Sequence, residues 1–133
     1  MCCLQPLTSI QSVLYYVENL ADSPYEKAQV LLLDKHNFLL KILNFSDHLP
    51  HQLILPAREI FKPAFCYDTS QFILVHNHPS GQVCPSQEDH QTTERLALVG
   101  RYLNINLLDH IIVVPNDYFS FSQAGVLSGY LRP

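Results

Sequence analysis

Three short apolar segments limit what this chain can fold into more than any other feature. Val30–Leu33 and Ile111–Val114 are apolar throughout, and Phe72–Val75 is apolar up to His76. A short unbroken apolar run reads as a strand buried on both faces, which calls for cover on each side of its sheet. The same runs are far too short to span a bilayer. With hydrophobic residues at 47% and charged residues at 15%, the chain is too apolar for disorder. Its 133 residues fit one domain, taken as residues 1–133.

Helical periodicity comes first in the chain. Ile10, Val13, Leu14, Val17 and Leu20 recur at helical spacing, with Thr8 or Ser9 as N-cap. The helix is expected to end near Asp22-Ser23-Pro24. Ala28–Leu33 and Phe38–Phe45 then read as a hairpin across the turn Asp34–Asn37. After a looser stretch from Ser46 to Leu55, Pro56 opens a helix through Arg58–Phe61, which Pro63 kinks or ends. Phe72–His76 is a strand, and the segment from Asn77 to Pro85 is a loop. Ser86 caps a long helix to about Leu103, with Leu96, Val99 and Leu103 facing inward. Leu107–Val114 is a strand, Tyr118–Phe121 pairs back on it, and a short helix near Gln123–Leu127 closes the chain. This order predicts an α/β sandwich with a mixed sheet flanked by helices.

The charge pattern narrows the partners. Net charge is −4, and the eight Lys and Arg are scattered. No basic footprint for a nucleic-acid backbone is visible. Met1-Cys2-Cys3-Leu4 is not a basic stretch leading into an apolar one, so no signal peptide is read. Cys2, Cys3, Cys66 and Cys84 contain no CxxC and do not form a disulfide framework. Reduced thiols in a cytoplasmic protein are the simpler expectation.

The chemistry sits in His76-Asn77-His78-Pro79-Ser80-Gly81 and Pro85-Ser86-Gln87-Glu88-Asp89. Side chains two apart on a strand share a face, so both imidazoles can turn onto one ion. A loop and one helical turn later, Asp89 can add a carboxylate oxygen. Three N/O ligands with an open position describe catalytic zinc rather than structural zinc. The bland reading is also complete: Ser86-x-x-Asp89 resembles a capping box, in which Asp89 merely satisfies backbone N–H groups.

His-x-His, ten residues and Asp, here His76, His78 and Asp89, resembles the JAMM (MPN+) metalloprotease signature, and Ser86 matches as well. The stretches "ILVHNHPSG", "PSQED", "PAREIFKPA", "LLDHIIV" and "VLLLDKHNFLL" resemble its RadC branch, from about Glu26 onward. The resemblance implies a cytidine-deaminase-like (JAB/MPN) α/β sandwich with one zinc ion (Zn2+) on His76, His78 and Asp89. Ser86 would support the transition-state oxygen. The family's general base is a Glu between the first helix and the following strand, the place Glu26 occupies, and Glu59 is its rival. The helix-hairpin-helix region of full RadC proteins is not seen in these residues.

These readings point to a zinc metallohydrolase cleaving an amide bond in a peptide or protein conjugate, with no membrane, no strong sign of nucleic-acid binding and an oligomeric state the sequence does not give. The alternatives are a DNA-repair-associated accessory protein and an inactive MPN-type scaffold. Cys84 is either a redox ligand for the metal or, more simply, packed in its loop. Asp109-His110 either orients a ligand or satisfies a strand end. His36, His48, His51 and His90 are expected on the surface, and Tyr15, Tyr16 and the Phe residues in the core.

Overall fold

The computed structural model describes residues 5–17, 19–46 and 55–130. Cys2, Cys3, His48, His51 and nearly all of the looser stretch before Leu55 lie outside them. The elements are α1 (Ile10–Tyr16), β1 (Lys27–Leu33), β2 (Leu39–Ser46), α2 (Ala57–Cys66), β3 (Gln71–Asn77), α3 (Gln87–Leu103), β4 (Asn106–Val114), β5 (Asp117–Ser120) and α4 (Val126–Gly129).

The strands form one mixed sheet in the order β2-β1-β3-β4-β5. β3 and β4 run parallel across the α3 crossover, and the other neighbours are antiparallel. Alternation along the strands sorts the core into two layers. Val30, Leu32, Phe72, Leu74 and Ile112 meet Ile60, Phe61 and Ala64 of α2 and Leu96 and Ala97 of α3. On the other face, Leu31, Leu33, Ile73, Val75, Ile111 and Val113 meet Val13 of α1 and Val17 just beyond it. Both faces of β1, β3 and β4 are thus covered, which is why those strands are continuous apolar runs.

Several details differ from expectation. α1 stops at Tyr16, well before Pro24, and the chain goes on in tight turns: Leu20 N bonds Val17 O and Ser23 N bonds Leu20 O. That three-residue spacing keeps Val17 and Leu20 buried without a helix. Tyr15 and Tyr16 are 72% and 37% exposed, because Val13 and Val17 take the inward face. Phe65, 59% exposed in the last turn of α2, is also outside the core.

α2 runs on through Pro63 to Cys66, and Pro56 is its N-cap rather than its first helical residue. The inward face of α3 is Thr93, Leu96, Ala97 and Gly100, and Leu103 is exposed. At Asn104 (φ 59°) the helix turns back so sharply that a Cβ on Gly100 would lie 2.3 Å from the Ile105 carbonyl oxygen. The closing helix is a single turn, α4, entered through Gly125 at φ 74°. No helix among the described residues is long and apolar enough to cross a membrane.

Candidate metal centre

His76 near the carboxyl end of β3 and His78 just beyond it share one face, and Asn77 between them points to the other face. The chain turns at once: Gly81 N bonds His78 O, and Gly81 takes φ 85°, a conformation that favours glycine. The returning loop places Gln82 O 2.7 Å from Nδ1 of His78. Ser86 then caps α3. Its Oγ accepts from Asp89 N, and Asp89 Oδ2 accepts from Ser86 N. The capping box is therefore real.

It does not exhaust Asp89. Asp89 Oδ1 lies 3.3 Å from Nε2 of His76, and Oδ2 lies 3.0 Å from Nε2 of His78. The two Nε2 atoms are 3.0 Å apart. These three residues are the group among the described residues that could hold a metal ion. Zn–N and Zn–O bonds of about 2.0–2.1 Å in a tetrahedron put ligand atoms roughly 3.3 Å apart, close to what is found.

Placing the protons strengthens the fit. Thr93 Oγ1 donates to Asp89 O at 2.6 Å, so toward Nδ1 of His110, 2.5 Å away, it can only accept. His110 therefore carries its proton on Nδ1, and its Nε2 accepts from Nδ1 of His76 at 2.7 Å. That leaves a lone pair on Nε2 of His76. His78 must donate from Nδ1 to the Gln82 carbonyl, which leaves its Nε2 a lone pair as well. With both rings neutral, two lone pairs and a carboxylate converge, a set that could hold a metal ion.

The same contacts become hydrogen bonds when an imidazole is protonated: the Asp89 hydrogen bond raises the His78 pKa against the opposing effect of burial. Burial pushes the Asp89 carboxyl up, but hydrogen bonds from His76 and His78 outweigh it and hold the carboxyl well below the usual range. His110 is fully enclosed, and burial holds its pKa well below the ordinary value and so keeps it neutral, as the proton chain requires.

The group opens into a cleft of about 490 Å³, lined by Glu26, His78, Ser86, Glu88, Asp89 and Thr92 among others. Glu26 also lines the smaller recess behind, with His76, Asp89 and His110. Its charge is close enough to raise the His78 pKa. Glu59 lines neither space and is exposed on the first turn of α2. Cys84 is exposed and faces the cleft rather than packing in its loop, and it is not a member of the converging group.

Asp109 and His110 part ways, as neighbours on a strand do. His110 backs His76. Asp109 faces the α1 side and accepts from Ser120 Oγ, Ser122 N and His110 N. His90 is half-buried rather than a surface residue: Nδ1 meets the Tyr130 hydroxyl at 2.6 Å, and the ring packs edge-on against Phe121. Phe121 in turn stacks on His110 at 4.6 Å. His36 is exposed, as expected. Thr93 and Asn77 are buried polar residues at the site that sequence reasoning did not single out. Only their position beside the His-x-His pair and the Asp89 turn hinted at them.

Comparison with known proteins fits this geometry. The family model described as the RadC-like JAB domain matches residues 7–126. A UPF0758 protein of Trichlorobacter lovleyi is 40% identical over 113 residues, 85% of this chain and 49% of that protein. A UPF0758 protein of Geobacter sulfurreducens is 38% identical over 128 residues, 96% of this chain and 56% of its own. One from Staphylococcus carnosus is 39% identical over 112 residues, 84% and 49% respectively. The chain spans about half the length of the curated relatives it matches.

Proposed function

We propose, starting from the fact that the chain belongs to the family of RadC-like JAB domains, that it is a zinc-dependent hydrolase. The bond cleaved is an amide or isopeptide-like bond in a peptide or protein conjugate. One observation carries this reading: three acceptor atoms converge beside a cleft whose wall holds a further carboxylate, Glu26, outside the converging group.

Zinc held by His76, His78 and Asp89 would supply Lewis acidity and a water acidic near neutral pH, with a pKa of about 7. The chain's own residues do the rest. Glu26 takes a proton from the attacking water and returns it to the leaving amine as the C–N bond breaks. The Ser86 hydroxyl already accepts the Asp89 amide through its oxygen, at 3.1 Å, so its proton is what it offers. That proton supports the carbonyl oxygen as it gains negative charge.

Among the described residues, the cleft wall carries Glu26, Glu88 and Asp89 and no Lys or Arg. A polyanionic backbone would meet repulsion there, whereas a peptide with neutral or basic neighbours would not. This wall and the complete ligand set favour hydrolysis over the accessory-factor and inactive-scaffold readings.

The test is amide cleavage of a mixed fluorogenic peptide library by zinc-loaded protein. Cleavage by wild type, lost in His78→Ala and Glu26→Gln, supports the proposal. A zinc-loaded protein that cleaves neither the library nor isopeptide-linked conjugates contradicts it.

A further inference from the structure

Asn77 sits between the two histidines but points away from them, and its side chain is wholly buried. Its three hydrogen bonds all go to one short segment. Oδ1 accepts from Lys27 N at 2.6 Å, and Nδ2 donates to Tyr25 O at 2.9 Å and to Ser23 O at 3.3 Å. Two of these partners, Tyr25 and Lys27, are the residues on either side of Glu26. The segment is also the approach to β1, where Ala28 pairs with His76 in the antiparallel register. Continuing that register by two residues sets Glu26 opposite His78.

β1 begins at Lys27, which pairs with Ser46 of β2, and the Asn77 side chain adds a further hold from the β3 side. At Lys27 the amide is held by the Asn77 side chain, and the carbonyls of Tyr25 and Ser23 are held by its amide group. An asparagine can do this because it offers one acceptor and two donors in one plane. Neither aspartate nor a small apolar residue offers that set.

We infer that Asn77 is a positioning residue, which fixes the backbone on both sides of Glu26 and so holds its carboxylate over the cleft beside His76, His78 and Asp89. The same tripeptide thus does two jobs on opposite faces of one strand. Its histidines present ligand atoms, and its asparagine holds the group that works beside them. This rests on the metal-site reading proposed above.

Cobalt(II), a paramagnetic substitute for zinc, is the probe. In cobalt-loaded wild type, the γ protons of Glu26 should show a large pseudocontact shift, because they stand at a fixed position relative to the ion. In Asn77→Ala and Asn77→Ser that shift should fall to less than half, while the shift of the Ala28 methyl, anchored in β1, stays within a tenth of wild type. Cobalt stoichiometry should be unchanged, because Asn77 contributes no ligand.

A Glu26 shift unaltered in both variants, with cobalt bound, would overturn the inference and leave the metal site standing. Failure of wild type to bind cobalt at all would overturn the metal reading and the inference with it. Wild type also gives a check that needs no variant. The Lys27 amide, bonded to Asn77, should exchange with deuterium as slowly as the amides inside β1. Exchange at the rate of an exposed strand end would contradict the clamp.

Discussion

His110 accepts a hydrogen bond from Nδ1 of His76 at 2.7 Å, and by doing so it decides which nitrogen of His76 faces Asp89. Metal-binding histidines commonly donate their second N–H to a carboxylate or carbonyl. Here the acceptor is a neutral imidazole, itself fixed by Thr93, whose hydroxyl is fixed by the Asp89 carbonyl. The chain of bonds starts and ends on candidate ligands. Replacing His110 by Phe keeps a ring to stack on Phe121 but removes the acceptor. Zinc affinity, measured by competition with a chelator, should fall about 10–100-fold. Thr93→Val should lower it less. Equal affinity in all three proteins would remove His110 from the site.

Ser86 caps α3 and lines the cleft, and measurement separates the cap from the oxyanion role proposed for it. Ser86→Ala loses the cap on α3 and should lower unfolding free energy by about 1 kcal/mol. Zinc content should stay at the wild-type level, because Ser86 is not a ligand. Amide turnover should fall by about 10²–10³, the usual effect of removing an oxyanion donor. Unchanged turnover at the lower stability would leave Ser86 only its cap.

Glu26 and Glu59 are distinguished by position. Glu26→Gln should retain zinc and lower kcat by about 10²–10⁴, the range for a lost general base. Glu59→Gln, on the exposed first turn of α2, should leave kcat and KM at wild-type values. The reverse outcome would move the base to Glu59.

Asp109 offers a pH prediction away from the cleft. Burial raises its carboxyl above the ordinary value of 3.8, against the bonds from Ser120, Ser122 and His110. A raised folded-state pKa means that the folded protein binds the proton more tightly than the unfolded chain does. The stability this gives is complete below pH 3.8 and is lost as pH rises through the folded value. Asp109→Asn keeps an acceptor for both backbone amides and has no charge to bury. Its stability relative to wild type should therefore increase as pH rises from 3.8 toward neutral. Asp109→Ala, which leaves buried donors unpaired, should cost on the order of 2 kcal/mol at pH 7. A difference between wild type and Asp109→Asn that shrinks over that window would contradict the assignment.

The convergence of His76, His78 and Asp89 was legible in the sequence because local geometry sets it. A His-x-His pair on a strand shares a face by alternation, and a capped helix start returns Asp89 after a loop. The buried strands were legible for the same reason, since apolar runs record burial on both faces. What sequence reasoning missed depends on contacts between distant segments. Asn77 reads as a loop residue until β1 is paired with β3, 50 residues apart in the Lys27 contact. Thr93 and the split between Asp109 and His110 need the parallel pairing of β3 with β4 and the seating of α3 on it. The early end of α1 was hidden because its turns keep a helix-like spacing of apolar residues. Leu103 follows the period of α3 but falls where the helix has already turned away from the sheet.

The central claim is that His76, His78 and Asp89 form a zinc site, and metal content tests it most directly. Elemental analysis would be run on wild type, His76→Ala and Asp89→Ala, purified without added metal or chelator. The account predicts about one zinc per wild-type chain and none in either variant, with both variants still folded. Wild-type protein that carries no metal, and takes up none when zinc is added, would contradict it; Asp89 would then be left as the capping residue of α3 alone.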